Sequence, residues 1–419
     1  MTGTLRPAML PWIVAGIVVL ALNLRTPIIA PTAVLGDIRA DTGLSAAGAG
    51  LLTGLPVLLF ALATPLASKT IRRLGAETTV LMCLSGVLVG TVLRSVGPTW
   101  LILLGTGVIG LAITLGNIVV PVIIRREVPW NQVGMVTGLY SAMMNVGSMV
   151  TLIGTGPLAA LVGWRWAIGL WAVLALLGLG YWMILIRTRI RRTPIDGAAG
   201  DTAGAEAGAP AVSRTAEAKR PWREVSPEFR RIVVLLVITF SGQSIAYYTT
   251  TTWLPSILAD TARLDPALAG GTASLFQVSA IVGAFGVPLL AARSRPWVPV
   301  AIVAALWLSL PLGMLTAPDA YVVWAVTGGI AQGGGFTAIL SIIARTAGSD
   351  RETASGSARV QGGGYLAATL APPFAGWLAT VTHGWVVPQL LVLAATLSFT
   401  VAGLLAARIA GRMGPRRLA

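Results

Sequence analysis

The chain has 419 residues, 55% of them hydrophobic and only 11% charged, and its mean hydropathy of +0.80 excludes a soluble globular surface. A net charge of +15 invites a nucleic-acid reading, but the basic residues stand at the ends of apolar runs and form no patch interleaved with aromatics, so no nucleic-acid partner is expected. The one cysteine, Cys83, lies inside an apolar run, which excludes a disulfide framework and a thiolate metal site.

Apolar runs predict helices over 10–34, 45–68, 77–96, 99–124, 133–159 and 164–186. Crossing about 30 Å of hydrocarbon takes roughly 20 helical residues, and runs of this length fit helices rather than a closed barrel. The first run is too long for a signal-peptide core and has further spans behind it, so it is expected to be retained. The pattern then stops: residues 187–228 are rich in Arg, Ala, Gly, Pro and acids, show no period, and read as a flexible linker. Six more runs follow, over 231–258, 267–292, 297–317, 320–344, 354–381 and 385–408. The expected organisation is an N-terminal six-helix bundle at 1–186, a linker at 187–228 and a C-terminal six-helix bundle at 229–419.

Lysine and arginine orient these helices, because positive residues near helix ends stay in the cytoplasm. With the N-terminus inside, Arg6, Lys69, Arg72, Arg73, Arg125, Arg126, the linker, Arg293, Arg295, Arg345, Arg351 and the tail from Arg408 to Arg417 are cytoplasmic. Outside remain Arg39, Arg94, Arg165 and Arg263. The bias of 24 against 4 places both termini and the linker in the cytoplasm of a multi-pass inner-membrane protein. The halves also repeat: Asp37-Ile-Arg-Ala-Asp-Thr42 recurs as Ser256-Ile-Leu-Ala-Asp-Thr261, an offset of 219 residues. Parallel six-helix repeats joined by a long cytoplasmic linker are the major-facilitator architecture, an all-α membrane fold of twelve helices with its site near the midplane between the halves.

A charge at the bilayer centre costs at least roughly 2.5 to 3.5 kcal/mol, so an ionisable residue inside a span is a functional candidate. Two stand out. Arg25, in Asn23-Leu24-Arg25-Thr26-Pro27, is midway along the first span, either facing a cavity to bind substrate or tied to backbone carbonyls freed by Pro27 and Pro31. Arg359 is one or two turns into the eleventh span, where it lines an inner vestibule or snorkels. Every one of the 15 acidic residues falls in a loop, the linker or a span edge, and the single histidine, His383, falls in a loop. Facilitated diffusion, exchange, or coupling through the substrate's own protonation is therefore expected. A membrane-embedded enzyme would need His, Asp or Glu clusters or metal ligands at depth, so no enzymatic activity and no cofactor or metal is expected.

Neutral polar residues form a second set: Asn117, Tyr140, Asn145, Gln243, Tyr247, Tyr248, Gln277, Gln332, Gln361 and Tyr365. Each either bonds helix to helix or contacts a ligand. Gln243 with Tyr247, and Gln361 with Tyr365, are spaced i, i+4, so each pair shares one helix face. The repeat offset sets Ser244 opposite Arg25, beside Gln243, so the first and seventh helices should face each other across one cavity. The glycine runs 328–335 and 362–364 follow no strand and carry no GK[ST], and read as close helix packing, as do Gly86 with Gly90 and Gly329 with Gly333. Tryptophans at span ends, among them Trp12, Trp100, Trp130, Trp164, Trp297 and Trp385, read as interfacial anchors.

Asn23-Leu-Arg25, Leu51-Leu-Thr-Gly-Leu-Pro56, Gly116-Asn117 followed by Pro121, Gly138-Leu-Tyr140, Trp253-Leu-Pro255, Leu275-Phe-Gln277 and Gly364-Tyr365 together give the resemblance a name. From about Asn23 to the last span, the chain resembles the cyanate-permease and nitroimidazole-transporter family of the major facilitator superfamily. That resemblance implies transport of a small polar or anionic compound, with the first-helix Arg25 as an anion contact. After the second helix the chain keeps Arg73-Leu-Gly75 but has Arg72 where the superfamily has Asp, and Arg359 stands where relatives have an apolar residue. The leading expectation is a monomeric carrier in the lipid bilayer for a small organic anion or weak acid, such as cyanate or a carboxylate. The alternative is efflux of a neutral heteroaromatic compound, for which the tyrosines and Trp253 would matter more.

Overall fold

The structure, a computed structural model, describes residues 9–192, 226–348 and 350–413; most of the expected linker, and Arg416 and Arg417 of the basic tail, lie outside the described residues. Twelve helical passes form two six-helix bundles, all-α among the described residues. Ten are long and apolar enough by themselves to cross a membrane: Leu10–Thr42, Thr64–Val96, Thr99–Glu127, Met135–Val162, Trp164–Thr188, Pro227–Thr261, Pro266–Ala291, Trp297–Thr316, Pro318–Thr346 and Val386–Met413. The second and eleventh passes are the broken ones. The second begins as Ala46–Leu62, bends at Ala63, and runs on to Gly75, whose φ of +83° makes the reversal into the third pass. The eleventh is split into Asp350–Ala368 and Ala371–Val381, because Pro372 and Pro373 withhold the amides that Ala368 and Thr369 would need to continue the helix.

The first pass also departs from the single helix expected over 10–34. It is α-helical over Leu10–Ile29, tightens to a 3-10 turn over Ala30–Val34, and resumes over Leu35–Thr42. Pro31 is the cause, since it has no N–H to offer the Pro27 carbonyl one turn earlier. Arg94 fills the gap: its side chain is 1% exposed and its Nη1 donates to Pro27 O at 2.6 Å. The sequence assigned Arg94 to the outer surface and offered Arg25 for this carbonyl; the structure corrects both points. Arg94→Leu is expected to lower stability by about 1 to 3 kcal/mol by orphaning a buried acceptor. Pro31→Ala in the Arg94→Leu background should recover part of that loss, because position 31 then supplies the amide. Denaturation in detergent measures both, and losses that simply add would remove the capping role.

The internal repeat has a physical basis in each half. In the first, Trp164 Nε1 donates to Asp41 Oδ2 at 3.2 Å and Arg165 pairs with the same oxygen at 3.0 Å. In the second, Trp385 Nε1 donates to Asp260 Oδ2 at 2.8 Å. Asp41 and Asp260 are the repeated aspartates, and each ties the end of its half's first pass to the start of the sixth. Trp164 and Trp385, expected as membrane anchors, therefore hold this turn.

Within the halves, the glycines at 86, 90, 329 and 333 set the helix spacing as expected, whereas Gly362, also expected to pack closely, faces open space. A Cβ at Gly86 would stand 2.7 Å from that of Ala112, and one at Gly90 the same distance from Gly105 O. Cβ atoms at Gly329 and Gly333 would overlap the Phe276 and Ala280 carbonyls of the eighth pass. Toward the termini a Cβ at Gly138 would stand 3.1 Å from the Phe285 ring, but the close backbone approaches between the halves lie at the opposite end. There Gly50 and Gly54 abut Thr369, Pro372 and Pro373, while Gly156 and Gly270 abut Pro266 and Leu152. Thr53 and Thr252 hydroxyls meet at 2.6 Å in the same layer. This end is sealed.

Candidate functional site

Beneath that seal a cavity of about 560 Å³ lies between the halves, walled by the first, second, fourth and fifth passes on one side and the seventh, eighth, tenth and eleventh on the other. Its deep wall of Ile28, Ile29, Thr53 and Thr251 is buried or nearly so, whereas Thr64, Thr137, Phe336 and Ala358 at its other end are exposed. The cavity thus opens toward the termini.

Arg25 is the only charged side chain among the described lining residues, and no carboxylate accompanies it. It reaches across to the other half, where its Nη1 donates to the Tyr247 hydroxyl and its guanidinium carbon stands 5.1 Å from the Tyr247 ring centroid. Tyr247 is held in turn by an edge-on Tyr248 at 4.8 Å and by stacking on Phe276 at 6.2 Å. A phenol leaves the positive charge uncompensated, and in a poorly screened cavity that charge attracts an anion strongly.

The remaining polar groups are of two kinds. Gln243 lines the cavity but is locked, with Nε2 donating to Gln332 O at 2.7 Å and Oε1 accepting from Trp307 Nε1 at 2.6 Å. Asn145 is committed only by its Nδ2, which donates to Ser141 O at 3.0 Å; its Oδ1 and the Oε1 of Gln332 are buried acceptors without a partner among the described residues. Tyr140 donates to Asn117 Oδ1 at 3.3 Å. Tyr365 lines the mouth with Gln361, its ring edge-on to Phe60 at 6.1 Å and to Phe240 at 5.3 Å. The arrangement offers one strong donor, two unused acceptors and an aromatic wall, which suits a small ligand with both an anionic edge and a hydrogen-bond donor.

The model of the Major Facilitator Superfamily matches residues 12–327. The chain belongs to the major facilitator superfamily. This major facilitator is 33% identical over 398 residues to the uncharacterized transporter YycB of Bacillus subtilis (strain 168), covering 94% of this chain and 92% of that one. It is 29% identical over 398 residues to the 2-nitroimidazole transporter of Escherichia coli (strain K12), covering 94% and 95%. Among solved structures, a bacterial homologue of the human lysosomal transporter Spinster, inward-facing and unoccupied, matches with a TM-score of 0.70 at 16% identity, covering 96% of this chain and 98% of that one. A peptide transporter matches with a TM-score of 0.70 at 15% identity, covering 96% and 94%. These structural likenesses concern the fold alone. The chain is thus a membrane transporter, not an enzyme.

Of the residues singled out from sequence, this major facilitator brings Arg25, Asn117, Tyr140, Asn145, Gln243, Tyr247, Tyr248, Gln332, Gln361 and Tyr365 to one cavity. Three lie elsewhere. Asn23 faces the sixth pass, its Nδ2 donating to Val19 O at 2.9 Å and Leu174 O at 3.1 Å. Gln277 is buried inside the second half, donating to Thr251 Oγ1 at 3.3 Å. Arg359 is exposed beside the mouth, folded back so that Nη1 donates to Ser355 O at 3.2 Å. Trp253 is also no wall residue: it is 1% exposed and donates to Pro372 O at 2.9 Å. Sequence reasoning missed Phe60, Phe240, Phe336 and Met144 on the wall, for which an apolar residue in an apolar span gives no signal.

Proposed function

We propose that this major facilitator carries a small organic anion or weak acid across the inner membrane by alternating access, holding it at Arg25 between two halves, 1–186 and 229–419, with both termini and the 187–228 linker cytoplasmic. The observation that carries this reading is an arginine, alone in charge, at the centre of an inter-half cavity with only a phenol for company. An anion would displace Tyr247 and take the planar guanidinium in a bidentate pair, while Asn145 Oδ1 or Gln332 Oε1 accepts from a ligand N–H or O–H. Among the described residues no carboxylate lines the cavity, so transport rests on facilitated diffusion, on exchange or on the substrate's own protonation. The carrier is proposed to act as a monomer, since its two halves together wall the cavity on both sides.

A second reading has support of its own: the wall of Phe60, Tyr140, Phe240, Tyr247, Tyr248, Phe336 and Tyr365, together with the relative named as a 2-nitroimidazole transporter, suits export of a neutral heteroaromatic ring. One experiment separates the two. Ligands raise stability by mass action, so the purified protein is screened for thermal shifts with cyanate, small carboxylates and 2-nitroimidazole, and the hits are repeated on Arg25→Gln. Loss of every anion shift in the variant supports the anion reading. Retention of a nitroimidazole shift, with no anion shift in either protein, selects the aromatic one.

A further inference from the structure

A second cavity lies away from the transport path. It occupies about 180 Å³ in the second half near the termini end, where the eighth, ninth, tenth and twelfth passes meet. Its walls are mostly apolar, with Val287, Pro299, Val300 and Ile342 among them, and its polar groups are Ser341 and Arg345. Arg345 stands in the last turn of the tenth pass, is exposed, and has no side-chain hydrogen bond or ion pair among the described residues. Around it Arg293, Arg295, Arg408 and Arg412 close the neighbouring helix ends, exposed and equally without ion pairs there. Among the described residues no carboxylate lines the cavity.

Retention of positive residues on the cytoplasmic side and the negative ends of helix dipoles explain why arginines collect at these helix ends. Neither explains a cleft that runs from an exposed arginine into an apolar interior. Trp297, 43% exposed at the first residue of the ninth pass and beside Pro296 of the cleft, fits the aromatic belt at headgroup depth. The combination is that of a lipid: a negative headgroup at the rim and hydrocarbon below it. Ser341 refines the match, because its hydroxyl already donates to Thr337 O at 2.8 Å and therefore accepts from any ligand. An accepting hydroxyl suits a headgroup that itself carries O–H donors.

We propose that this cleft is a binding site for an anionic phospholipid, phosphatidylglycerol fitting best, with its phosphate on Arg345, a headgroup hydroxyl on Ser341 and an acyl chain against Val287, Val300 and Ile342. The site is independent of the substrate reading, because none of its residues lines the transport cavity.

Native mass spectrometry of the delipidated full chain in detergent, titrated with dioleoyl phosphatidylglycerol or dioleoyl phosphatidylcholine, tests it. Phosphatidylglycerol is expected to bind in preference, and Arg345→Gln to weaken it about fivefold, the size expected for one basic contact to an anionic headgroup. Arg72→Gln removes the same charge from an exposed position in the first half and should leave this binding intact. Ser341→Leu keeps every charge but fills the cleft, and should weaken binding as well. Melting curves of the four proteins confirm that each is folded. Equal affinity for the two lipids, equal losses in Arg345→Gln and Arg72→Gln, or inorganic phosphate competing as well as the lipid would each overturn the assignment.

Discussion

Gly54→Ala is expected to abolish transport while leaving the protein folded. Gly54 belongs to the second pass, and the atom its Cβ would overlap is the Thr369 carbonyl oxygen of the eleventh. That carbonyl points outward because Pro373 offers no amide to it, and only a residue without a side chain lets the two backbones meet there. The contact crosses between the halves, so a rocking motion that opens the sealed end relieves it. The variant should therefore be driven out of the conformation described here and held open at the far end. Gly283→Ala supplies the contrast: its Cβ would overlap Ile330 O, within the second half, where no rocking helps. Gly283→Ala should lose stability, whereas Gly54→Ala should lose turnover with little change in melting. Cys83 is the only cysteine and is buried, so Thr251→Cys on a Cys83→Ala background reports the cavity wall to an impermeant thiol reagent from the sealed side. Labelling should be slow with Gly54 and fast with Gly54→Ala; equal slow labelling, with transport intact, would mean that the seal does not depend on this contact.

Arg25→Ala should lose anion transport, with on the order of 1.5 to 3 kcal/mol of substrate binding removed, or roughly ten- to a hundredfold in affinity. Arg25→Lys keeps a point charge without the planar fork and should retain partial activity. Tyr247→Phe is the informative companion. In the empty protein the phenol is the hydrogen-bond partner of Arg25, and removing it leaves a bare guanidinium in a low-dielectric cavity whenever the carrier returns without substrate. Net uptake into vesicles should then fall severalfold, while exchange of external for internal substrate, which bypasses the return of the unloaded carrier, should persist. A Tyr247→Phe protein that loses both equally would place Tyr247 in substrate binding instead.

Much of this was legible in the sequence for definite reasons. Hydrocarbon thickness dictates the length of an apolar run, so the twelve passes could be counted, and the repeated segments 37–42 and 256–261 located a turn after each half's first pass; that Trp164 and Trp385 clasp it is visible only in the structure. The spacing of Gln243 with Tyr247 and of Gln361 with Tyr365 put each pair on one face, and both faces turn to the cavity. What the sequence could not resolve was which polar group is consumed by its neighbours. Gln243 and Gln277 look alike in a linear chain, yet one lies on the cavity wall with both ends bonded and the other is packed inside the second half. Arg94 escaped notice because its distance from a span end resembled that of a surface charge; its partner, the carbonyl released by Pro31, sits 67 residues away in sequence. The aromatic wall was invisible, since Phe60 and Phe240 differ in no local way from residues facing lipid.

Whether an anion binds on Arg25 is decided by calorimetric titration of the purified protein with whichever anion shifts its melting. The wild-type protein should bind that anion, and Arg25→Ala, shown to be folded by its melting curve, should bind it roughly ten- to a hundredfold more weakly. Unchanged affinity in Arg25→Ala would contradict the account, making Arg25 a structural residue and moving the substrate elsewhere in the cavity.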